Sequence, residues 1–143
     1  MSTILLSIKP EYVRKILEGS KKYEFRRSVA KRKVDRILIY STAPEMKVVA
    51  VVEVLGILKD SPKKLWEKTH AHAGISRPKF MDYYANRSVA YAYQLGELQK
   101  FDTPKTLAEY GISAPVLRTV KQIPCDVKHH TKIDYETLKE YLK

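Results

Sequence analysis

The sequence predicts an α+β domain, a small barrel of short strands with helices inserted around its rim. Three observations carry this. Apolar runs of strand length, rich in Val and Ile, recur along the chain. Short amphipathic segments lie between them, each opened by Pro or closed by Gly. Regular strand–helix–strand alternation is absent, which argues against a doubly wound sheet.

The elements follow in order. Residues 3–8 read as a strand of β-branched and aliphatic residues. Lys9-Pro10 opens a helix, because proline at the first turn forfeits no hydrogen bond. It runs to Glu18 and stops at Gly19, with Val13, Ile16 and Leu17 on its inner face. Residues 22–27 alternate, with Tyr23 and Phe25 on one side and Lys22, Glu24 and Arg26 on the other. The basic segment Lys31-Arg32-Lys33 leads to a strand at 34–40, and residues 41–45 form a turn. Residues 47–58 are the longest apolar run, and Gly56 predicts a bend in that strand. Ser61-Pro62 caps a helix carrying Leu65 and Trp66 that ends before Gly74. Arg77-Pro78 opens the next helix, with Phe80, Tyr83 and Tyr84. A strand is expected at 89–98, a helical turn at 106–110, a last strand at 116–123 and a terminal helix at 134–142.

The 143 residues suffice for one domain with its own core, so residues 1–143 are read as a single unit. The only cysteine, Cys125, excludes an internal disulfide. The N-terminus lacks a basic-then-apolar leader pattern and no apolar run approaches about 20 residues, so a cytoplasmic protein with no membrane partner is expected. A monomer is favoured. The net charge of +11 points to polyanionic partners. Residues 1–36 hold eleven basic and four acidic side chains, so a quarter of the chain carries most of the excess.

The most informative stretch is Gly19-Ser20-Lys21-Lys22-Tyr23-Glu24-Phe25-Arg26-Arg27. Here a helix ends and a strand begins with charges on one face. Lysine is a compact phosphate donor, and arginine a planar fork for phosphate or a base edge. A carboxylate between them holds the cations or accepts from a base amino group; the alternative is a self-neutralising solvated face. Glu53 sits among valines, where it either faces a cleft and meets Lys21, Lys22 or Arg26, or points outward from a half-exposed strand. Tyr83, Tyr84, Tyr91 and Tyr93, interleaved with Arg77, Lys79 and Arg87, offer stacking surfaces or half-buried sheet positions. Metal signals are weak: His70 and His72 fall on different helix faces, and His129-His130 near Cys125 has no zinc spacing. No phosphate-loop, dinucleotide or nucleophile-elbow fingerprint is present, so no cofactor and no metal are expected.

Leu5-Leu6-Ser7-Ile8-Lys9-Pro10, then a helix, then Gly19-x-Lys21-x-x-Glu24-x-Arg26 resembles the ASCH domain, a branch of the PUA-like superfamily. The resemblance continues through Ile39-Tyr40-Ser41-Thr42-Ala43-Pro44 and is strongest over residues 3–58; residues 125–143 read as a C-terminal extension. It implies a PUA-like open β-barrel and a cleft beside the first helix for nucleic acid or a nucleotide. Gly19, Lys21, Glu24 and Arg26 take the family's motif positions, and Lys9 and the Ser41-Thr42 turn line the same cleft. ASCH proteins are generally proposed to bind RNA. Some small members resemble amidohydrolases acting on N4-acetylcytidine through a lysine, a threonine three residues later and a glutamate from a later strand. Others are described as ribonucleases.

The expectation is therefore an RNA-binding module for single-stranded or modified RNA, or a nucleotide. Lys21 and Arg26 contact phosphate or base, and Glu24 orients them or reads a base edge. Lys9, Lys22 and Arg27 extend the electrostatic track, with Arg77, Lys79 and Tyr83 beside it. The alternative is a hydrolase of nucleosides or RNA using Lys21, Glu24 and Glu53, although Glu24 stands where the amidohydrolases have their threonine. A third reading is an interaction domain whose charge serves solubility.

Overall fold

The computed structural model describes residues 3–30 and 33–110. The expected strand at 116–123, the terminal helix, Cys125 and the His129-His130 pair lie outside the described residues.

Strand β1 (Thr3–Ile8) leads into helix α1 (Pro10–Glu18), followed by β2 (Tyr23–Arg26), β3 (Arg36–Ser41) and the long β4 (Lys47–Asp60). Helix α2 (Pro62–Thr69), a 3₁₀ turn at His70–His72 and helix α3 (Arg77–Tyr83) precede β5 (Ala90–Lys105), and a second 3₁₀ turn covers Ala108–Tyr110. The helix starts follow the sequence. Ser61 and Ser76 each accept from the backbone N–H three residues on, at Lys64 and Lys79, and Pro occupies the first turn of all three helices.

The five strands form one mixed sheet in the order β1-β3-β4-β5-β2. β1 and β3 pair in parallel, from Thr3 opposite Arg36 to Ile8 opposite Ser41, and the other neighbours are antiparallel. The α+β class holds. The pairing does not close into a barrel among the described residues: β1 and β2 are the two edges of the ladder. Laid flat, those edges would stand about 19 Å apart. Instead the Arg26 guanidinium on β2 donates to Ser7 O on β1 at 2.9 Å. The sheet is therefore strongly curled, and its open seam runs between β1 and β2. Irregularities in the β4–β5 register at Val48/Ala50, Val52/Val54 and Val54/Gly56 supply the bend, so Gly56 is one of several bending points rather than the sole one.

β5 runs seven residues further than the alternation of 89–98 indicates. Its second half is polar and largely exposed, with Phe101 the buried exception, yet it pairs with the start of β4 from Ala50–Lys100 to Val48–Lys105. Cross-strand pairing decides there, not hydrophobic period. One core cluster joins Ile4, Leu6 and Ile8 of β1 to Val13 and Ile16 of α1 and to Ile37, Ile39 and Val52. A second gathers Phe25, Leu65, Phe80, Tyr84, Ala90 and Ala92 beneath α2 and α3. Tyr84 and Tyr93 are core residues, so half of the tyrosine run is structural. No described helix is long and apolar enough to cross a membrane.

Candidate functional site

The site grows from the end of α1. Gly19 takes the left-handed conformation (φ 87°), and the chain folds back so that both Ser20 N and Lys21 N donate to Lys15 O. This reversal sends Lys21 inward, immediately before β2. Lys21, Glu24 and Arg26 are then only 4%, 7% and 8% exposed. The segment is not a solvated charged face.

Buried charges require partners. Arg26 Nε donates to Glu24 Oε2 at 2.8 Å, its second nitrogen lies 2.7 Å from the same oxygen, and that nitrogen also reaches Ser7 O. The Lys21 ammonium donates to Ala73 O at 2.7 Å and lies 4.8 Å from the Phe25 ring centre and 5.2 Å from that of Tyr12. Burial lowers the Lys21 pKa to about 8; Lys15 and Arg26 push the same way and Glu24 opposes them. Burial also raises the phenols of Tyr12 and Tyr83, so both stay protonated donors at neutral pH.

These groups form the floor of a cavity of about 650 Å³ at the seam between β1 and β2. Ser7, Ile8, Lys9 and Tyr12 line one wall, Ile75, Lys79, Asp82 and Tyr83 the other, and Arg27 and Thr42 lie at its edges. The cavity meets five basic side chains and two carboxylates. The Arg27 guanidinium lies over the Tyr83 ring, 4.4 Å from its centre, and donates through Nε to Tyr83 O at 3.0 Å.

Of the residues singled out from sequence, Lys9, Lys21, Glu24, Arg26, Arg27, Thr42, Lys79 and Tyr83 converge here. Four others do not. Lys22 is exposed outside the cavity, its backbone engaged with His72 O and Leu95 N. Arg77 is exposed on the first turn of α3, away from the cavity lining. Ser41 is fully buried at the end of β3, and its hydroxyl has no hydrogen-bond partner. Glu53 is exposed opposite Arg36, in a separate depression of about 170 Å³ shared with Glu97 and Gln99. Glu53 falls at the register irregularity between Val52 and Val54, where β4 passes from a fully buried run to alternate exposure, and it turns out there. Sequence reading named Ser7 and Ile8 only as part of the motif, and missed Tyr12, Phe25, Ile75 and Asp82 as site residues. Only Tyr12 carried a signal, one helical turn from Lys9 and next to the inward Val13.

A family model described as the ASCH domain matches residues 6–105, a span that contains every residue of the cavity. The chain belongs to the ASCH domain family. Its ASCH core thus extends well past residue 58, through α3 and β5. The crystal structure of an ASCH protein from Zymomonas mobilis superposes with a TM-score of 0.71 at 27% identity, covering 76% of each chain. An ASCH domain-containing ribonuclease of Zymomonas mobilis subsp. mobilis is 29% identical over 96 residues, 66% of this chain and 65% of that protein. Two Ureaplasma parvum proteins match over 112 residues: ATP synthase subunit alpha at 28% identity and large ribosomal subunit protein uL22 at 27%. The chain spans only 14% and 36% of the length of those two relatives.

Proposed function

We propose that the ASCH cleft binds single-stranded or modified RNA, or a nucleotide, with a base seated in the cavity and phosphates on its rim. The observation that carries this reading is the arrangement of side chains. Lys9, Arg27 and Lys79 line the cavity together with Tyr12, Phe25 and Tyr83, around the buried Glu24–Arg26 pair. Unstacked bases enter such a cavity, whereas paired bases in a duplex do not. The Arg27–Tyr83 pair is a sequence-tolerant platform for a base face. Both Arg26 contacts fall on Glu24 Oε2, so Oε1 is left to accept from a base amino or imino group.

A labelled single-stranded RNA titrated by fluorescence anisotropy against wild type and Lys21→Ala, at two salt concentrations, tests the reading. Salt-sensitive binding weakened in the variant is the expected result. Equal binding by the two proteins, or none, removes the site from this cleft.

A second reading, cleavage of RNA, is favoured by one observation. Lys21 is buried at the cavity floor with a pKa near 8, so roughly a tenth of it is a neutral amine at pH 7. That amine would take the proton of a ribose 2′-hydroxyl. The 2′-oxygen would then attack the adjacent phosphorus, and the 5′-oxygen would leave with a proton returned by the Lys21 ammonium, giving a 2′,3′-cyclic phosphate and a 5′-hydroxyl. Arg26 would stabilise charge on the phosphoryl oxygens. The named ribonuclease relative supports considering this reaction. The amidohydrolase arrangement has less support, because Glu24 replaces its threonine and Glu53 lies in another depression. Gel analysis of the titrated RNA separates binding from cleavage.

A further inference from the structure

Three successive carbonyls in the connection between α2 and α3 accept from three lysines of the α1–β2 corner. His72 O accepts from the backbone of Lys22 at 2.9 Å, Ala73 O from the Lys21 ammonium at 2.7 Å, and Gly74 O from the Lys15 ammonium at 3.1 Å. The two corners are sewn together, and the Lys21 side chain runs through the seam. Gly74 is what makes room for it. A Cβ built on Gly74 would lie 2.6, 2.7 and 2.9 Å from Cβ, Cγ and Cδ of Lys21, inside van der Waals contact all along the stem. Its φ of 66° is also a conformation that side-chain-bearing residues adopt rarely. The next residue, Ile75, lines the cavity, and α3 with Lys79 and Tyr83 follows.

We propose that Gly74 is a positioning residue for Lys21, its bare backbone forming the slot through which the lysine stem reaches Ala73 O and holds the ammonium at the cavity floor. Lys15 belongs to the same device but does not line the cavity: it fixes the Gly74 carbonyl and adds a second positive charge behind Lys21. The groups facing the Lys21 amine are Glu24 and Arg26 from β2, Lys15 and Tyr12 from α1, and the Phe25 ring. A side chain at position 74 meets the Lys21 stem first and displaces the amine from this setting. The inference rests on the RNA-cleft reading only for its affinity readout. The position and titration of Lys21 test it independently.

The experiment compares wild type, Gly74→Ala and Lys21→Ala. Affinity for a labelled single-stranded RNA is measured by anisotropy, and the Lys21 side chain is titrated by NMR with labelled lysine. Gly74→Ala is expected to reproduce most of the affinity loss of Lys21→Ala and to move the Lys21 titration upward from about 8, toward the ordinary lysine value, as the amine leaves its buried site. Gly74→Asn, which tolerates the left-handed backbone but still carries a Cβ, repeats the comparison if Gly74→Ala does not fold. An unchanged Lys21 titration in the Gly74 variant overturns the proposal. If Lys21→Ala binds RNA like wild type, the RNA-cleft reading falls, and the titration still decides the role of Gly74.

Discussion

Arg26 and Ser7 stand at opposite ends of the strand order, on β2 and β1, yet the Arg26 guanidinium donates to the Ser7 carbonyl at 2.9 Å. One side chain thus bridges the two edges of a five-stranded sheet where backbone pairing stops. A backbone ladder there would fill the seam; a side-chain bridge leaves space beside it, and the cavity occupies that space. The same guanidinium is neutralised by Glu24. The bridge across the seam, the buried ion pair and the cavity floor therefore meet at one residue.

Breaking that pair from one side should be costly. Arg26→Ala leaves the Glu24 carboxylate buried without its cation and is expected to destabilise the fold by about 3 kcal/mol. Replacing both partners, as Glu24→Gln with Arg26→Met, should cost less than Arg26→Ala alone, because the carboxylate that Arg26 neutralises is removed with it and Lys21 loses one favourable and one unfavourable neighbour together. Urea unfolding of the three proteins measures this; a double variant less stable than Arg26→Ala would refute it.

Lys21 should make stability rise with alkaline pH. Its folded-state pKa, about 8, lies below the unfolded value of 10.5, so between those values the unfolded chain binds more protons. The cost of burying the ammonium is present in full below pH 8 and is relieved as pH rises toward 10.5. Relative to Lys21→Met, wild type should gain roughly 3 kcal/mol across that window. RNA affinity should move the opposite way and fall as pH passes 8, because the cation is lost. Urea midpoints of both proteins at several pH values check the first part, and anisotropy the second. A flat difference between the two proteins would contradict the assignment.

The charged core of the site was legible because period two is a strict rule. Once Tyr23–Arg26 is a strand, Glu24 and Arg26 must share a face, and they do; Lys22, expected on that face, precedes the strand and lies outside the cavity. Lys21 was legible as a cation, but its burial was not, since that depends on Gly74 some fifty positions away. Asp82 and Ile75 come from the second wall, which only tertiary packing brings to the seam. Glu53 shows the reverse limit. Its apolar neighbours fitted either face of β4, and register alone decided that it points away. β5 was cut short because a polar half-strand has no hydrophobic signature, although β4 needs it as a partner.

The rim should behave as a phosphate track. Three to five phosphate contacts give a slope of log K against log salt of about −2 to −3.5 for a single strand. Alanine at Lys9, Arg27 or Lys79 should each reduce the slope by about 0.7 and weaken all RNA sequences alike. Anisotropy titrations across a salt series measure the slopes. A slope near zero in wild type would rule out a phosphate-led interface.

Tyr83 should contribute a stacking face. Tyr83→Ala removes the ring under Arg27 and is expected to lose roughly 1–3 kcal/mol of RNA binding with little change in salt slope. Tyr83→Phe keeps the ring and should bind like wild type. Equal losses in the two variants would assign the effect to the hydroxyl, contrary to the stacking account.

Glu24 and Glu53 should separate cleanly. Both are glutamates on strands, but Glu24 is 7% exposed at the cavity floor and Glu53 is exposed in the depression beside Arg36. Each Glu→Gln change removes one negative charge from a basic protein, so the long-range attraction for RNA rises equally in both. Any difference between them therefore reports local contact. Glu53→Gln should bind within about twofold of wild type, because simple screening attenuates its charge at the cavity. Glu24→Gln should bind about tenfold more weakly despite the favourable charge change, since it loses a charged acceptor for a base and loosens Arg26. Anisotropy with one RNA at one salt concentration makes the comparison. A Glu53→Gln loss equal to that of Glu24→Gln would mean that RNA extends across β4, and the cleft would then be only part of the interface.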